Sequence, residues 1–277
     1  MPSKNSGLIA RPKTTIMNSI EIKLEAFREL LEIMDELRVK CPWDKEQTNQ
    51  SLRNLTIEET YELAGAILDE DHDEIRKELG DLLLHIVFYA KIGSENAEFD
   101  IGDVIRSLNE KLIYRHPHVF GDTKVSHQEE VKKNWEELKM REGRQVLGGV
   151  PVSLPALIKA SRIQEKVRAV GFDWEEKVQV WDKVGEELEE LKQEIRNGDQ
   201  ERSEDEFGDL FFSLVNAARL YGVDPETALE KTNRKFIRRF SYLEEKSKKI
   251  NRSLKDMSPE EMDRIWEEAK GREAGSE

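Results

Sequence analysis

Apolar residues recur at three- and four-residue spacing through most of this chain, and no stretch alternates apolar and polar as a strand does. Phe27, Leu30, Leu31, Met34 and Leu37 form the first stripe, predicting a helix ended by Cys41-Pro42-Trp43-Asp44. A second helix is expected over residues 52–69, with Leu52, Leu55, Glu59 and Ala66 inward, and a third over 72–92. A fourth carries Ile101, Val104, Ile105, Leu108 and Leu112 and stops at His116-Pro117-His118. Residues 126–141 read as a short capped helix bearing Trp135. The plan then repeats. A helix over 157–170 ends at Gly171-Phe172-Asp173-Trp174, followed by acidic helices over 176–197 and 201–221. Val184, Glu187, Leu188 and Leu191 share one stripe, and Phe207, Leu210 and Leu214 another; both should face a core and carry Glu187 toward it. Asn197-Gly198-Asp199 joins these two helices as a stop and turn. Pro225 opens a long basic helix, and Ser258-Pro259 starts the last one as N-cap and first residue.

Composition fits a helical chain with salt-bridged faces: 37% of the 277 residues are charged and 37% hydrophobic. The net charge of −14 argues against broad binding to nucleic acid or anionic membrane. The single Cys41 excludes an intrachain disulfide and suits a reducing compartment, and the most apolar run, residues 82–90, is too short to span a bilayer. A cytoplasmic protein is expected. Residues 1–18 read as a disordered tail, with Met17 an alternative start; 19–143 as one domain; 144–155, rich in Gly and Pro, as a linker; and 156–272 as a second domain.

The chemistry concentrates in Glu186-Glu187-Leu188-Glu189-Glu190 and Glu206-Phe207-Gly208-Asp209. On paired helices these acids would converge, and two like charges about 4 Å apart repel by roughly 4 kcal/mol at an effective dielectric near 20. Such a cluster must protonate or bind cations, and oxygen ligands without Cys or His select a hard ion, Mg²⁺ or Mn²⁺. In so acidic a chain a Glu-Glu-x-x-Glu triple arises roughly two or three times by chance, so one copy could be a solvated face. A second copy changes that. Glu58-Glu59-Thr60-Tyr61-Glu62 and Glu78-Leu79-Gly80-Asp81 stand 128 residues upstream. Asn109, Lys111 and Arg115 match Asn233, Lys235 and Arg239 at an offset of 124, and Trp135 and Lys139 match Trp266 and Lys270 at 131. Solvated helices have no need of acids in register, so the chain is a duplication of two all-α halves.

These residues resemble the MazG family of nucleoside triphosphate pyrophosphohydrolases in its two-domain form, over residues 21–270. The resemblance rests on both acidic pairs, on Cys41-Pro42-Trp43-Asp44-Lys45-Glu46-Gln47-Thr48, on Arg115-His116-Pro117-His118-Val119-Phe120-Gly121-Asp122, on Gly149-Val150-Pro151-Val152-Ser153-Leu154-Pro155 and on Val170-Gly171-Phe172-Asp173-Trp174. It implies two tandem copies of the all-α NTP pyrophosphatase bundle, a homodimer, and Mg²⁺-dependent conversion of NTP and water to NMP and pyrophosphate. It puts Glu187, Glu190, Glu206 and Asp209 on the metal, with Glu59, Glu62, Glu78 and Asp81 as the first repeat's set. Lys183, Glu186, Arg202, Lys235, Arg239 and Trp266 then surround the nucleotide. The chemistry agrees, since phosphoryl transfer needs charge neutralisation and positioning more than a covalent nucleophile. Lys235 and Arg239, one turn apart, could clamp the phosphates; Glu186 is the choice for the base that takes a proton from water; Trp266 could stack on base or sugar.

At the 128 offset, Leu55 and Glu74 stand where the second half has Lys183 and Arg202, which leaves the first site short by three formal charges. The second half is therefore expected to be the main catalyst. Three other readings compete. A di-iron carboxylate bundle wants Glu-x-x-His pairs, yet all five histidines lie at or before His127. A helical dimeric scaffold with vestigial acids would release no pyrophosphate, and a dUTP- or dCTP-restricted enzyme would differ in base choice alone. His85, His116 and His118 invite a metal role, or for His-Pro-His a helix-end role.

Overall fold

A computed structural model describes residues 18–123, 125, 127, 130, 131, 134, 145–174 and 176–274, excluding the side chains of 273 and 274. The chain divides into two compact units, Met1–Thr123 and Lys124–Glu277. All regular structure among the described residues is helical. The helix expected over 126–141, with Trp135 and Lys139, lies mostly outside them, as do residues 1–17.

In the first unit α1 (Ile20–Lys40) runs into α2 (Pro42–Glu46), and α3 (Asn49–Leu68) pairs with α4 (His72–Glu95). Helix α5 (Ile101–Arg115) follows, then the single turn α6 (Pro117–Phe120). The two short helices occupy what the sequence marked only as breaks; each begins with Pro at its first position, where the missing N–H costs nothing. Met34, Leu52, Val87, Phe88 and Ile92 form the core, with Phe27, Leu30, Leu31 and Leu55 against it. In the second unit α7 (Ala156–Ala169) packs on α9 (Gln200–Leu220), and α9 pairs with α8 (Gln179–Asn197). Helix α10 (Pro225–Lys249) pairs with α11 (Pro259–Ala274) after one 3-10 turn (Leu254–Asp256).

The duplication reaches the caps. Asp71 accepts from the Asp73 and Glu74 amides, and Asp199, 128 residues on, accepts from the Arg202 amide; each satisfies N–H groups that the first helical turn leaves open. Asp100 and Asp224, 124 apart, cap α5 and α10 in the same way. Helix α5 stops at His116, whose Nδ1 lies 2.6 Å from the Leu112 carbonyl oxygen, the helix-end role open to His-Pro-His. Helix α10, with no proline there, continues ten residues past Arg239.

One expectation fails. Phe207 and Leu214 on α9, and Leu188 on α8, are exposed rather than in a core, and so are Val104, Ile105, Leu108 and Leu112 on α5. The helical period finds an apolar stripe but does not say whether the same chain covers it. Leu191 and Glu187 are buried as the stripe requires.

The turns between paired helices differ in one residue that matters. Gly198 has φ +72° and Glu70, at the same repeat position, has φ +53°. A left-handed backbone costs a residue with Cβ about 1–2 kcal/mol, and glycine almost none. Glu70→Gly is expected to stabilise the protein by about 1 kcal/mol in denaturant unfolding; an unchanged or lower midpoint would contradict this.

Candidate active site

Paired helices bring the acids together in both units. On α8 and α9, Glu187, Glu190 and Glu206 each offer a carboxylate oxygen, all within 4.8 Å of one another. On α3 and α4, Glu59, Glu78 and Asp81 do the same. The fourth member of each expected set stays at the margin: Glu62 and Asp209 are exposed and lie outside the clusters. They are still near enough to act electrostatically. Burial, then Asp81 and Glu62, push the Glu59 carboxyl above the usual range; burial, then Glu190 and Asp209, do so for Glu206.

In each unit one acid is almost wholly buried, Glu78 at 1% and Glu187 at 6% exposure, and each is met by a lysine. Lys183 Nζ lies 2.7 Å from Glu187 and 3.0 Å from Glu186; Lys77 Nζ lies 2.9 Å from Glu78 and 2.7 Å from Glu74. The Lys77 contact holds Glu78 below the usual carboxylate range. One lysine cannot satisfy every oxygen: Glu78 Oε2 and Glu206 Oε2 are buried and have no hydrogen-bond partner. Orphaned carboxylate oxygens facing like charges are what a hard divalent cation fits.

Lys77 corrects the charge comparison. Its counterpart in the second repeat is Asp205, so counting that position cuts the deficit of the first site from three charges to one. Arg202 reaches only its own N-cap, Asp199, at 3.6 Å, and is exposed. Lys183 does sit on the cluster and ties Glu186 to its rim. Lys235 and Arg239 lie half-buried on α10, and Arg239 lies 6.0 Å from the Trp266 ring centroid. Trp266 itself packs on Phe236, with ring centroids 4.9 Å apart. None of these three is in the carboxylate cluster or the cavity lining described next.

A cavity of about 500 Å³ opens beside the second cluster and shares Glu187 with it, and Lys183 and Asp209 also line it. Its other walls come from α7, the loop after it and α9: Ile163, Gln164, Phe172, Trp174, Phe212 and Asn216 among them. Asp173 and Arg219 pin that loop to α9, with Arg219 Nη1 donating to Asp173 Oδ2 at 3.2 Å and Arg168 Nε 3.4 Å from the same oxygen. Apart from Lys183, Glu187 and Asp209, the lining residues scatter over α7, its following loop, α8 and α9 without a shared spacing, so nothing in the sequence marked them beyond Gly171-Phe172-Asp173-Trp174. In the first unit His85 takes no part in its cluster: its Nδ1 lies 2.9 Å from Thr56 Oγ1, which lies 2.7 Å from the Tyr89 hydroxyl.

The chain is an all-α duplication with carboxylate clusters on paired helices, and it belongs to the MazG family of nucleotide pyrophosphohydrolases. The family model, described as a MazG nucleotide pyrophosphohydrolase domain, matches twice, at residues 47–120 and 178–243. The chain is 47% identical over 251 residues to the nucleoside triphosphate pyrophosphohydrolase/pyrophosphatase MazG of Thermotoga maritima, covering 88% of this chain and 96% of that one. It is 43% identical over 254 residues to the nucleoside triphosphate pyrophosphohydrolase of Escherichia coli K12, covering 88% and 97%. A solved MazG-related protein from Thermotoga maritima is 30% identical, with a TM-score of 0.37, and covers 41% of this chain and 98% of its own. No helix among the described residues is long and apolar enough to cross a membrane.

Burial would raise the Asp173 carboxyl, but Arg219, with the Trp174 amide and Arg168, holds it below the usual range. A folded-state pKa below the unfolded value, near 3.9, stabilises the fold above that pH, and the contribution is lost as pH falls through the folded pKa. Asp173→Asn is expected to cost about 1–3 kcal/mol at neutral pH and to flatten the acid limb of stability. Thermal unfolding of both proteins from neutrality into acid checks it; equal acid limbs would overturn the role of the pair.

Proposed function

We propose that this protein hydrolyses nucleoside triphosphates to nucleoside monophosphate and pyrophosphate, with Mg²⁺ or Mn²⁺, in the second unit. The observation that carries the reading is the junction of the Glu187–Glu190–Glu206 cluster with the cavity through Glu187. The names of the two relatives at 43% and 47% identity support the activity. Glu187, Glu190, Glu206 and the neighbouring Asp209 would hold the ion, which when bound would neutralise phosphate charge and make water a better nucleophile. Lys183 would pass from Glu187 to a phosphate oxygen as the carboxylate gains a stronger cation. Glu186, on the exposed rim and now tethered to Lys183, is the base that would accept the proton of the attacking water. Lys235 and Arg239 would bear on the phosphates, while the cavity takes the nucleoside in preference to Trp266.

The division between the units rests on shape more than charge. At the 128 offset, Asn216 and Ser213 of the cavity correspond to Phe88 and His85, both buried. Counted back from Gly171-Phe172-Asp173-Trp174 and Cys41-Pro42-Trp43-Asp44, which are 130 apart, Gln164 corresponds to Met34. Met34 and Phe88 belong to the apolar core of the first unit. The first unit thus keeps a carboxylate cluster and fills the space where a nucleoside would enter. The uncovered Phe207, Phe211 and Leu214 on α9, with Phe236, Ile237 and Phe240 on α10, fit burial by a second copy of the chain. We assign the working form as a homodimer. A substrate panel decides between broad and base-restricted hydrolysis.

Glu187→Gln and Asp209→Asn should each lower pyrophosphate release by about a hundredfold or more at saturating Mg²⁺, with helical content unchanged. Near-normal turnover in either variant would sink the site assignment. Mg²⁺ at a hundredfold excess over its Kd should stabilise the wild type by about 2.7 kcal/mol; a melting temperature indifferent to both Mg²⁺ and Mn²⁺ would argue for solvated acids. Fragments 150–277 and 19–143, purified and assayed alike, test the division: the first should retain most of the activity, and the reverse ranking would overturn it.

A further inference from the structure

We infer that Gln164 reads a nucleobase N–H inside the cavity; this rests on the proposed hydrolysis and names the contact that separates bases bearing an N–H donor from rings without one. Gln164 is 3% exposed and stands on α7 in the cavity wall. Its amide orientation is dictated by packing, because Nε2 donates to the Phe212 carbonyl oxygen at 2.9 Å and a flipped amide would set two oxygens against each other. That leaves Oε1 buried with no hydrogen-bond partner. Several other polar groups of the lining are engaged. Ser213 Oγ donates to the Leu210 carbonyl oxygen at 2.9 Å, and Asn216 Oδ1 accepts from Arg219 Nε at 3.1 Å and Nη2 at 2.7 Å. Asp173 is held by Arg219 and Arg168.

A buried acceptor without a partner is costly until a donor arrives. Phosphate oxygens at neutral pH offer none. The aromatic walls from Phe172, Trp174 and Phe212 suit a flat ring, and adenine, guanine, cytosine and uracil each carry an amino or imino N–H. One acceptor that any of them can satisfy admits several bases while rejecting a ring without a donor. Met34 stands at the matching place in the first unit, so the first repeat has neither the acceptor nor the space.

The test compares matched substrates in the unmodified protein first: ATP against purine riboside triphosphate, and CTP against pyrimidin-2-one riboside triphosphate, each pair differing by the exocyclic amino group. Wild-type kcat/KM should favour the amino-bearing member of at least one pair by about tenfold or more. In Gln164→Met the preference should fall to within about twofold, with turnover of the donor-free substrate retained. Gln164→Leu, with circular dichroism on both variants, guards against a local packing defect. Wild-type protein that treats both pairs alike, or a folded variant that keeps the preference, overturns the role of Gln164 while leaving hydrolysis standing. Absence of pyrophosphate release from every triphosphate overturns both readings together.

Discussion

Mutual repulsion among carboxylates on two paired helices is the constraint around which each unit is built. Glu187, Glu190 and Glu206 are held within 4.8 Å by helices that would otherwise gain nothing from such proximity. The helices must therefore be secured away from the acids. Asp199 caps one, Gly198 in the left-handed region ends the other, and Val180, Leu191, Val215 and Ala217 bury their inner faces. Lys183 offsets part of the repulsion, and only part, since Glu206 Oε2 is left without a partner. The helices are held in spite of the acidic site, and a bound cation would relieve the conflict that remains.

The same conflict is resolved twice with different residues. Lys183 approaches Glu187 from four residues earlier on the same helix; Lys77 approaches Glu78 from the adjacent position. A duplicated backbone places the acids, while the neutralising lysine can come from any nearby position that reaches. Charge at aligned positions alone is thus a poor guide to the field at a site. Lys77 lies at neither aligned position, Leu55 or Glu74, and Arg202 meets the N-cap Asp199 rather than the carboxylate cluster.

Most helices could be read from the sequence because their signals are local. Asp71, Asp100, Asp199 and Asp224 cap where the apolar period begins, and Gly198 and Pro117 mark ends. The acidic clusters were legible because repetition separates them from the many other acids. The cavity was not. Gln164, Asp173, Asn216 and Arg219 come from α7, its following loop and α9, and they converge only when α7 packs on α9. Equally hidden was which apolar stripes stay uncovered, because Phe207 and Leu191 carry the same periodic signal although one is exposed and the other buried.

The two units therefore diverge in their interiors more than in their acids. Phe88 for Asn216 and Met34 for Gln164 exchange polar groups for apolar ones at positions that a helix tolerates equally well, so the helices and the cluster can persist while the space beside them changes character. A filled core stabilises through buried apolar area, whereas a cavity with an orphaned acceptor forgoes that stabilisation. The first unit takes the stability, with Met34, Leu52 and Phe88 almost fully buried around one centre. The second keeps its cavity, Gln164 and Asn216 beside a carboxylate cluster, a combination that is costly in the empty protein and that the proposed charged, ring-bearing ligand would make favourable.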